Sequence, residues 1–375
     1  MNRLSDIWKN IDWILFLSVL PLIVAGLLTM NSFSGQNYFF LRQLIWTVVS
    51  LAVFFLVSMV DWRFLRRSDV ATAIYGIGLI LLLVVFFAGK VKGSKSWLSF
   101  GALAFEPSSF MEIALIILLA KYFSRRHIEI ANIKHIFLSG LYTLIPFALV
   151  LIQPNFGSAL IIFLIWLGMI LVSGVSKKHL LVLVLTLAVA FSGFWLFVAK
   201  PYQKARIMTF IHPLADIRGA GYNAFQSQVA VGAGQVVGKG IGYGTQSRLA
   251  FLPEYQTDFM FAAFSEEWGF IGVLIIFLLF GLVLWRIMHY AKRGASNFET
   301  LFAMGVAILF MSYLVVHIGM NIGLMPVTGL PLPFMSYGGS HLLTEFVLLG
   351  IIMGMKRYSL AYHRGDVHNE FLGPQ

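Results

Sequence analysis

The sequence predicts an all-α polytopic membrane protein with about ten transmembrane helices, and three observations carry that prediction. Of its 375 residues, 59% are hydrophobic and 11% are charged, against roughly 45–50% apolar and 25% charged in a soluble domain. Apolar runs long enough to cross a ~30 Å hydrocarbon core, roughly 18 residues, recur along the chain. Lys and Arg gather on alternate connections between those runs, the bias expected of loops that share the cytoplasmic side. A water-soluble fold is excluded by this balance. Inside a bilayer every backbone polar group must be paired, so runs of this length read as helices and not as barrel strands.

Taken in order, the runs place spans at 12–31, 42–60, 70–88, 107–123, 136–152, 155–174, 179–199, 258–288, 300–324 and 337–356. The first follows Arg3 and Lys9 but is too long for a signal peptide and lacks a small-residue cleavage site, so it is expected to remain as a helix. Residues 200–257, between the seventh and eighth spans, form a polar, Gly-rich extracytoplasmic loop containing three prolines and His212. A long connection in a compact fold usually has a function of its own. Residues 357–375 read as a cytoplasmic tail, and the whole of 1–375 as one transmembrane domain. No internal repeat is evident, which disfavours the repeat-built transporter folds. There is no cysteine, hence no disulfide, haem attachment or thiolate metal site.

With the amino terminus inside, 17 of the 27 Lys and Arg residues fall on inner segments, from Arg3 and Lys9 through Arg63, Arg66 and Arg67 to Lys356, Arg357 and Arg364. The outer exceptions cluster. Lys90, Lys92 and Lys95 crowd one loop, and Lys200, Lys204, Arg206, Arg218, Lys239 and Arg248 lie in the long one. Long loops translocate regardless of charge, but three lysines just before Trp97 suit an anionic ligand at the membrane surface, such as a lipid phosphate or pyrophosphate.

Phe251-Leu-Pro-Glu-Tyr-Gln-Thr-Asp258 places a carboxylate where the long loop re-enters the membrane. Either Thr257 or Asp258 caps the following helix, or Asp258 acts as a general base toward a sugar hydroxyl. Ser265, Glu266 and Glu267 follow on the same helix, roughly 12 Å deeper. Glu112, His317 and Glu345 also fall within spans. Ionisable groups at such depth face a bundle interior or an aqueous cavity. Taken singly, each reads as a structural partner in a packed polar network; together they point to a hydrated cavity between helices.

Two glycine-rich segments stand out. Gly232-Ala-Gly-Gln-Val-Val-Gly-Lys239-Gly fails as a phosphate loop, because Lys239 is followed by Gly240 and not by Ser or Thr. It reads instead as a tight turn with accessible backbone donors. Gly323 to Ser340 joins the last two spans through Pro326, Pro331 and Pro333, a density that forbids a continuous helix. The histidines show no zinc-type spacing. A divalent cation, Mg or Mn, held by carboxylate and pyrophosphate oxygens stays compatible with the sequence. No nucleic-acid module is present.

The runs Gly221-Tyr-Asn-Ala-Phe-Gln226-Ser-Gln, Gly238-Lys-Gly-Ile-Gly-Tyr-Gly-Thr-Gln-Ser247, Leu252-Pro-Glu254-Tyr-Gln-Thr-Asp258-Phe and Glu266-Glu-Trp-Gly-Phe-Ile-Gly272, with Ser336-Tyr-Gly-Gly-Ser340, closely resemble the SEDS family (shape, elongation, division and sporulation). The wording of 244–247 and 329–333 looks more like its rod-shape branch than its division branch. The resemblance implies a ten-helix fold and a peptidoglycan glycosyltransferase that polymerises lipid II into glycan strands. It also implies a class B penicillin-binding protein of the PBP2 type as partner, among the elongation-complex membrane proteins. Asp258 matches the family's essential aspartate and Trp97 its outer-loop tryptophan, with Lys95 near where the family often has arginine. Substrate contacts are expected at Lys95, Trp97, Arg206, Gln226, Lys239, Arg248, Glu254, Ser336 and Ser340.

Two departures matter. The family's Gln-Pro-Ser-Glu, with lysine three residues later, appears here as Glu106-Pro-Ser-Ser109 with Glu112, and its Gln-Pro-Asp-Leu-Gly-Thr as Gln153-Pro-Asn155-Phe-Gly157-Ser158. The usual acid–base pair one turn apart is therefore missing. Two other function classes fit the same surface. A flippase for the lipid-linked precursor would need charges along a path to the inner side, and a non-catalytic scaffold activating the penicillin-binding protein would tolerate loss of Asp258.

Overall fold

The computed structural model describes residues 11–33, 38–87, 96–100, 103–124, 133–193, 196–197, 204, 208, 210, 221–249 and 251–370. It is built almost wholly of helices. They are α1 (Trp13–Phe33), α2 (Tyr38–Met59), α3 (Ser68–Val85), α4 (Pro107–Ser124), α5 (Ile133–Ile152), α6 (Phe156–Val172) and α7 (Lys177–Gly193). After the long loop come α8 (Tyr222–Ala233), the single turn α9 (Thr245–Arg248), α10 (Met260–Lys292), α11 (Asn297–Asn321) and α12 (Gly339–Glu370). Eight of these helices are long and apolar enough to cross a membrane, and α6, with 17 residues, is a shorter apolar helix.

The apolar surface is sorted as a bilayer requires. α4, α11 and α12 form the centre, with most of their spanning residues buried, whereas α2, α3 and α5 bury only a minor share. On α2, Ile45, Val48 and Leu56 point outward, where lipid replaces water as their neighbour. α12 lies along α2 at close range. A Cβ on Gly350 would stand 2.8 Å from Val57, and one on Gly354 2.5 Å from Trp62. Small residues one turn apart let two backbones approach in lipid, where packing and not water drives association.

Short devices end the helices. Asp61 caps the 3-10 turn Trp62–Arg66 by accepting from the Arg63 amide, and the Trp62 indole donates to Val57 O at 2.8 Å. Asn155 caps α6 by accepting from the Ser158 amide. Ahead of α4, a two-stranded antiparallel hairpin, β1 (Leu98–Phe100) with β2 (Leu103–Phe105), pairs Leu98 with Phe105. Helical periodicity has no means of flagging two three-residue strands. At the other end, α12 runs on to Glu370, although the apolar pattern stops near 356.

α10 is broken once. Gly269 sits at φ 64° and ψ −166°, a conformation open in practice only to glycine. The break frees backbone groups, and the glycine-rich segment takes them up. Lys239 N bonds Glu266 O and Gly240 N bonds Glu267 O, while Phe270 N and Ile271 N bond Gln235 O and Val236 O. A Cβ on Gly269 would lie 2.2 Å from Gly238 N, so this pairing requires glycine there.

Candidate functional site

The site is assembled around the turn that precedes α10. Glu254, at φ 53°, lets its carbonyl collect the amides of Thr257, Asp258 and Phe259 at 3.1, 3.1 and 3.3 Å. The turn is thereby fixed by its own backbone. The N-cap position of α10 falls on Phe259, not on Thr257 or Asp258, and the Thr257 hydroxyl donates back to Glu254 O at 3.3 Å.

Three parts of the chain hold this turn from outside. The Asn321 amide, at the end of α11, donates to Asp258 O at 3.1 Å and to His317 O at 2.7 Å. Its oxygen accepts from the Ala262 amide, at 3.2 Å, and from the Ser227 hydroxyl of α8, at 3.1 Å. Ser336, in the proline-rich segment, donates its hydroxyl to Thr257 O at 2.7 Å and accepts from Leu332 N at 2.9 Å. Gln43 of α2 donates to Ser336 O and accepts from Gly338 N, at 3.2 and 3.1 Å. Beneath lies a small apolar nucleus of Ala230, Leu252, Phe259 and Ala262. Asp258 itself is half-buried, and a Cβ on Gly329 would stand 3.3 Å from its Oδ2.

Of the expected contact residues, Glu254, Asp258 and Ser336 come together at this turn. Gln226 is half-buried on α8, next to the Ser227 that bonds Asn321. Arg248 is exposed at the end of α9, and Ser340 is buried in the first turn of α12. Trp97 is half-buried beside the hairpin. Lys95 and Arg206 lie outside the described residues.

Lys239 Nζ bonds Glu266 Oε1 at 2.8 Å and Thr245 Oγ1 at 2.8 Å. Glu266 is fully buried and also accepts from the Thr245 amide at 2.8 Å and the Gln246 amide at 3.2 Å. Glu267 Oε1 takes the Gly242 amide at 2.6 Å. The glycine-rich turn thus spends its backbone donors on this chain's own groups, Lys239 N and Gly240 N on the carbonyls of Glu266 and Glu267 and Gly242 N on the Glu267 carboxylate.

The deeper ionisable residues are packed polar partners. His317 Nδ1 meets Leu330 O at 2.7 Å, and Nε2 meets the Phe261 amide at 3.4 Å. A carbonyl only accepts and an amide only donates, so the ring is the neutral Nδ1–H tautomer. Glu112 accepts from the Tyr313 hydroxyl at 2.8 Å, and the His341 ring centroid lies 4.6 Å from that of Tyr313. His341 Nε2 stands 3.2 Å from Glu345 Oε1, and Glu345 Oε2 accepts the Phe334 amide at 2.9 Å.

A second polar group gathers the two family departures. Glu106 Oε1 accepts from Ser108 Oγ at 2.7 Å, Asn155 Nδ2 at 3.0 Å and Ser158 Oγ at 3.3 Å. Asn155 supplies a donor that an aspartate could not. Burial pushes the Glu106 carboxyl above its ordinary value, outweighing the three hydrogen bonds that favour its charged form. Sequence reading missed Gln43 and Asn321. Their signal was a lone amide in an apolar helix, and for Asn321 its position one turn after His317. Among the described residues no group of three or more His, Cys, Asp or Glu is placed to hold a metal ion.

Residues 7–360 match the family model for cell cycle proteins of the FtsW, RodA and SpoVE kind. Peptidoglycan glycosyltransferase MrdB of Escherichia coli strain K12 is 34% identical over 92% of this chain and 93% of that protein. A probable peptidoglycan glycosyltransferase FtsW of Thiomicrospira cyclica is also 34% identical, over 92% and 91%. Stage V sporulation protein E of Bacillus subtilis is 33% identical over 93% and 97%. These values do not separate the branches. Among solved structures, a chain from a peptidoglycan synthase complex that coordinates polymerization and crosslinking aligns with a TM-score of 0.80. That alignment has 30% identity and covers 93% of this chain and 98% of that one. Thermus thermophilus RodA aligns with a TM-score of 0.69 and 28% identity, over 92% and 96%.

Proposed function

The chain belongs to the FtsW, RodA and SpoVE family, as a multi-pass membrane protein and peptidoglycan glycosyltransferase, and from that premise we propose that Asp258 is its general base and lipid II its donor. The observation that supports this most is the half-buried Asp258 carboxylate on a turn held by Glu254, Asn321 and Ser336. A base must be within reach of the proton it takes and fixed in direction. The bonds from Asn321 and Ser336 reach the turn through the Asp258 and Thr257 carbonyls and so fix its direction.

In the proposed reaction Asp258 takes the proton of the acceptor GlcNAc 4-hydroxyl as that oxygen attacks the MurNAc anomeric carbon. The bond from that carbon to the pyrophosphate oxygen breaks, and undecaprenyl pyrophosphate leaves with inversion. Lys95, Arg206, Lys239 and Arg248 are assigned to the departing charge. Lys239 has given two of its three donors to Thr245 and Glu266, which leaves one for a phosphate oxygen. Trp97, Gln226, Glu254 and Ser340 are assigned to substrate contact, and Ser336 to the placement of the turn. A divalent cation would draw on pyrophosphate oxygens for its ligands.

The setting is a bacterial inner membrane, with both termini cytoplasmic, the long loop outside and about ten spans in one domain. A penicillin-binding protein is the proposed partner, in keeping with the similarity to a chain of a peptidoglycan synthase complex. Elongation is the proposed role. The deciding experiment incubates purified protein, with and without that partner, with lipid II and follows glycan chain length. Wild type should polymerise, and Asp258→Asn should lose about 10²–10⁴-fold in rate, the usual worth of a general base, at an unchanged melting temperature. Full polymerisation by the variant would sink the assignment, and lipid translocation without polymerisation would favour the flippase.

A further inference from the structure

At the membrane boundary opposite Asp258, the end of α10, the start of α11 and α12 enclose a cavity of about 400 Å³. Its polar wall carries Arg286, His289, Arg293 and Lys356, and its apolar wall Ile352 and Met355. The nearby acids are already matched. Asp12 Oδ2 takes Arg286 Nε and Nη2, both at 2.6 Å, and the Tyr290 hydroxyl. Glu299, the one acid in the wall, pairs with Arg66 at 2.5 Å and accepts from Ser296 Oγ.

After those pairings, positive charge is left over. Lys356 is half-buried with its ammonium 5.5 Å from the Tyr290 ring centroid, and among the described residues it makes no ion pair. Arg286 still has its Nη1 donors, since Asp12 and Tyr290 take only Nε and Nη2. Arg293 stands at the mouth with a partner of its own. A cavity with a cationic wall and an apolar wall selects an anion attached to something greasy.

Depth identifies which anion. α10 has 33 residues, roughly 50 Å of helix against a ~30 Å hydrocarbon core, so its last turns reach the headgroup layer. Trp285, 56% exposed just before this wall, is the residue type that settles at that layer. We propose that this cavity binds the phosphodiester headgroup of an anionic phospholipid, with Lys356 and the Nη1 donors of Arg286 on the phosphate and Ile352 and Met355 along its glycerol and first methylenes. Basic pockets between transmembrane helices are suited to such headgroups. The bound lipid would tie together the ends of α10, α11 and α12.

The test titrates the purified full chain in neutral detergent with dioleoyl phosphatidylglycerol, dioleoyl phosphatidylcholine or inorganic phosphate and follows the melting temperature. Phosphatidylglycerol should raise it by several degrees, and the other two should not. Lys356→Gln should shift the phosphatidylglycerol midpoint upward at least threefold, while Arg63→Gln, an exposed cation of the α2–α3 connection, should leave it in place. Native mass spectrometry of the wild type gives a readout independent of variants, with phosphatidylglycerol retained in preference to phosphatidylcholine. Equal responses to the two lipids, or an unchanged midpoint in Lys356→Gln, overturn the site. A response to inorganic phosphate matching that to phosphatidylglycerol assigns the cavity to a free anion and overturns the lipid.

Discussion

Asp258 and Gly329 face each other, and a methyl group on Gly329 would stand 3.3 Å from Asp258 Oδ2. Gly329 also sits at φ 76°, where a side chain costs about 1–2 kcal/mol. Gly329→Ala is expected to push the carboxylate aside and to strain the proline-rich segment. Misplacement of a base on this scale costs about 10- to 100-fold in rate. Single-turnover polymerisation should show that loss in kcat, with melting lowered by no more than the backbone strain.

Asn321 joins α8, α10 and α11 through a single side chain. Asn321→Leu keeps the volume and removes the bonds to Asp258 O and Ala262 N, while the Ser227 hydroxyl keeps its bond to the residue 321 carbonyl at 2.9 Å. Buried groups left without partners cost about 1–3 kcal/mol each, so a loss of about 3 kcal/mol is expected, together with reduced activity. Thermal unfolding in detergent beside a lipid II assay checks both. A variant as stable as wild type would remove Asn321 from the account of the site.

The glycine-rich turn should come loose when Glu266 loses its charge. Glu266→Gln breaks a pair in which the acid is fully buried and Lys239 is 29% exposed, so the cost should lie at the low end for such pairs, about 3 kcal/mol. Limited digestion with a lysine-specific protease should then cut at Lys239 faster than in wild type. An unchanged cleavage rate would mean that the pairing around Gly269 holds the turn by itself.

Glu106 predicts a pH effect of defined sign. Its carboxyl is raised by burial, so the folded state holds a proton that the unfolded chain has already released. Stability from this group is therefore full below the ordinary glutamate value of about 4.3 and declines as pH climbs through the folded value. Glu106→Gln should flatten that decline. Melting temperatures of both proteins between pH 4.5 and 8 decide it.

The membrane class and the order of spans were legible because long apolar runs leave little choice of structure. α4 and α5 begin and end within a few residues of the runs 107–123 and 136–152. Asp258 was legible as a carboxylate at a loop-to-helix junction, but its supports were not. Gln43, Asn321 and Ser336 lie nearly 300 residues apart at the extremes, and periodicity carries no signal for such contacts. The turn at 232–244 reads in the sequence as a set of accessible donors, since nothing in its local wording tells that the Glu266 and Glu267 carbonyls and the Glu267 carboxylate will take them up. His317, Glu112 and Glu345 were correctly singled out as buried, and their partners settle them as packed groups.

The clamp formed by Gln43, Thr257 and Ser336 also bears on how the protein is made. Gln43 leaves the ribosome early, Thr257 late, and Ser336 only with the last span, yet Ser336 bonds both of the others. Chains are synthesised at about 5–20 residues per second and fold from the amino end, so the earlier helices wait many seconds for their partner. Until it arrives, the turn bearing Asp258 has no fixed direction. If Asp258 is the base, a chain cut before the last span would lack the contact that aims it, so activity would begin only once synthesis reaches that span.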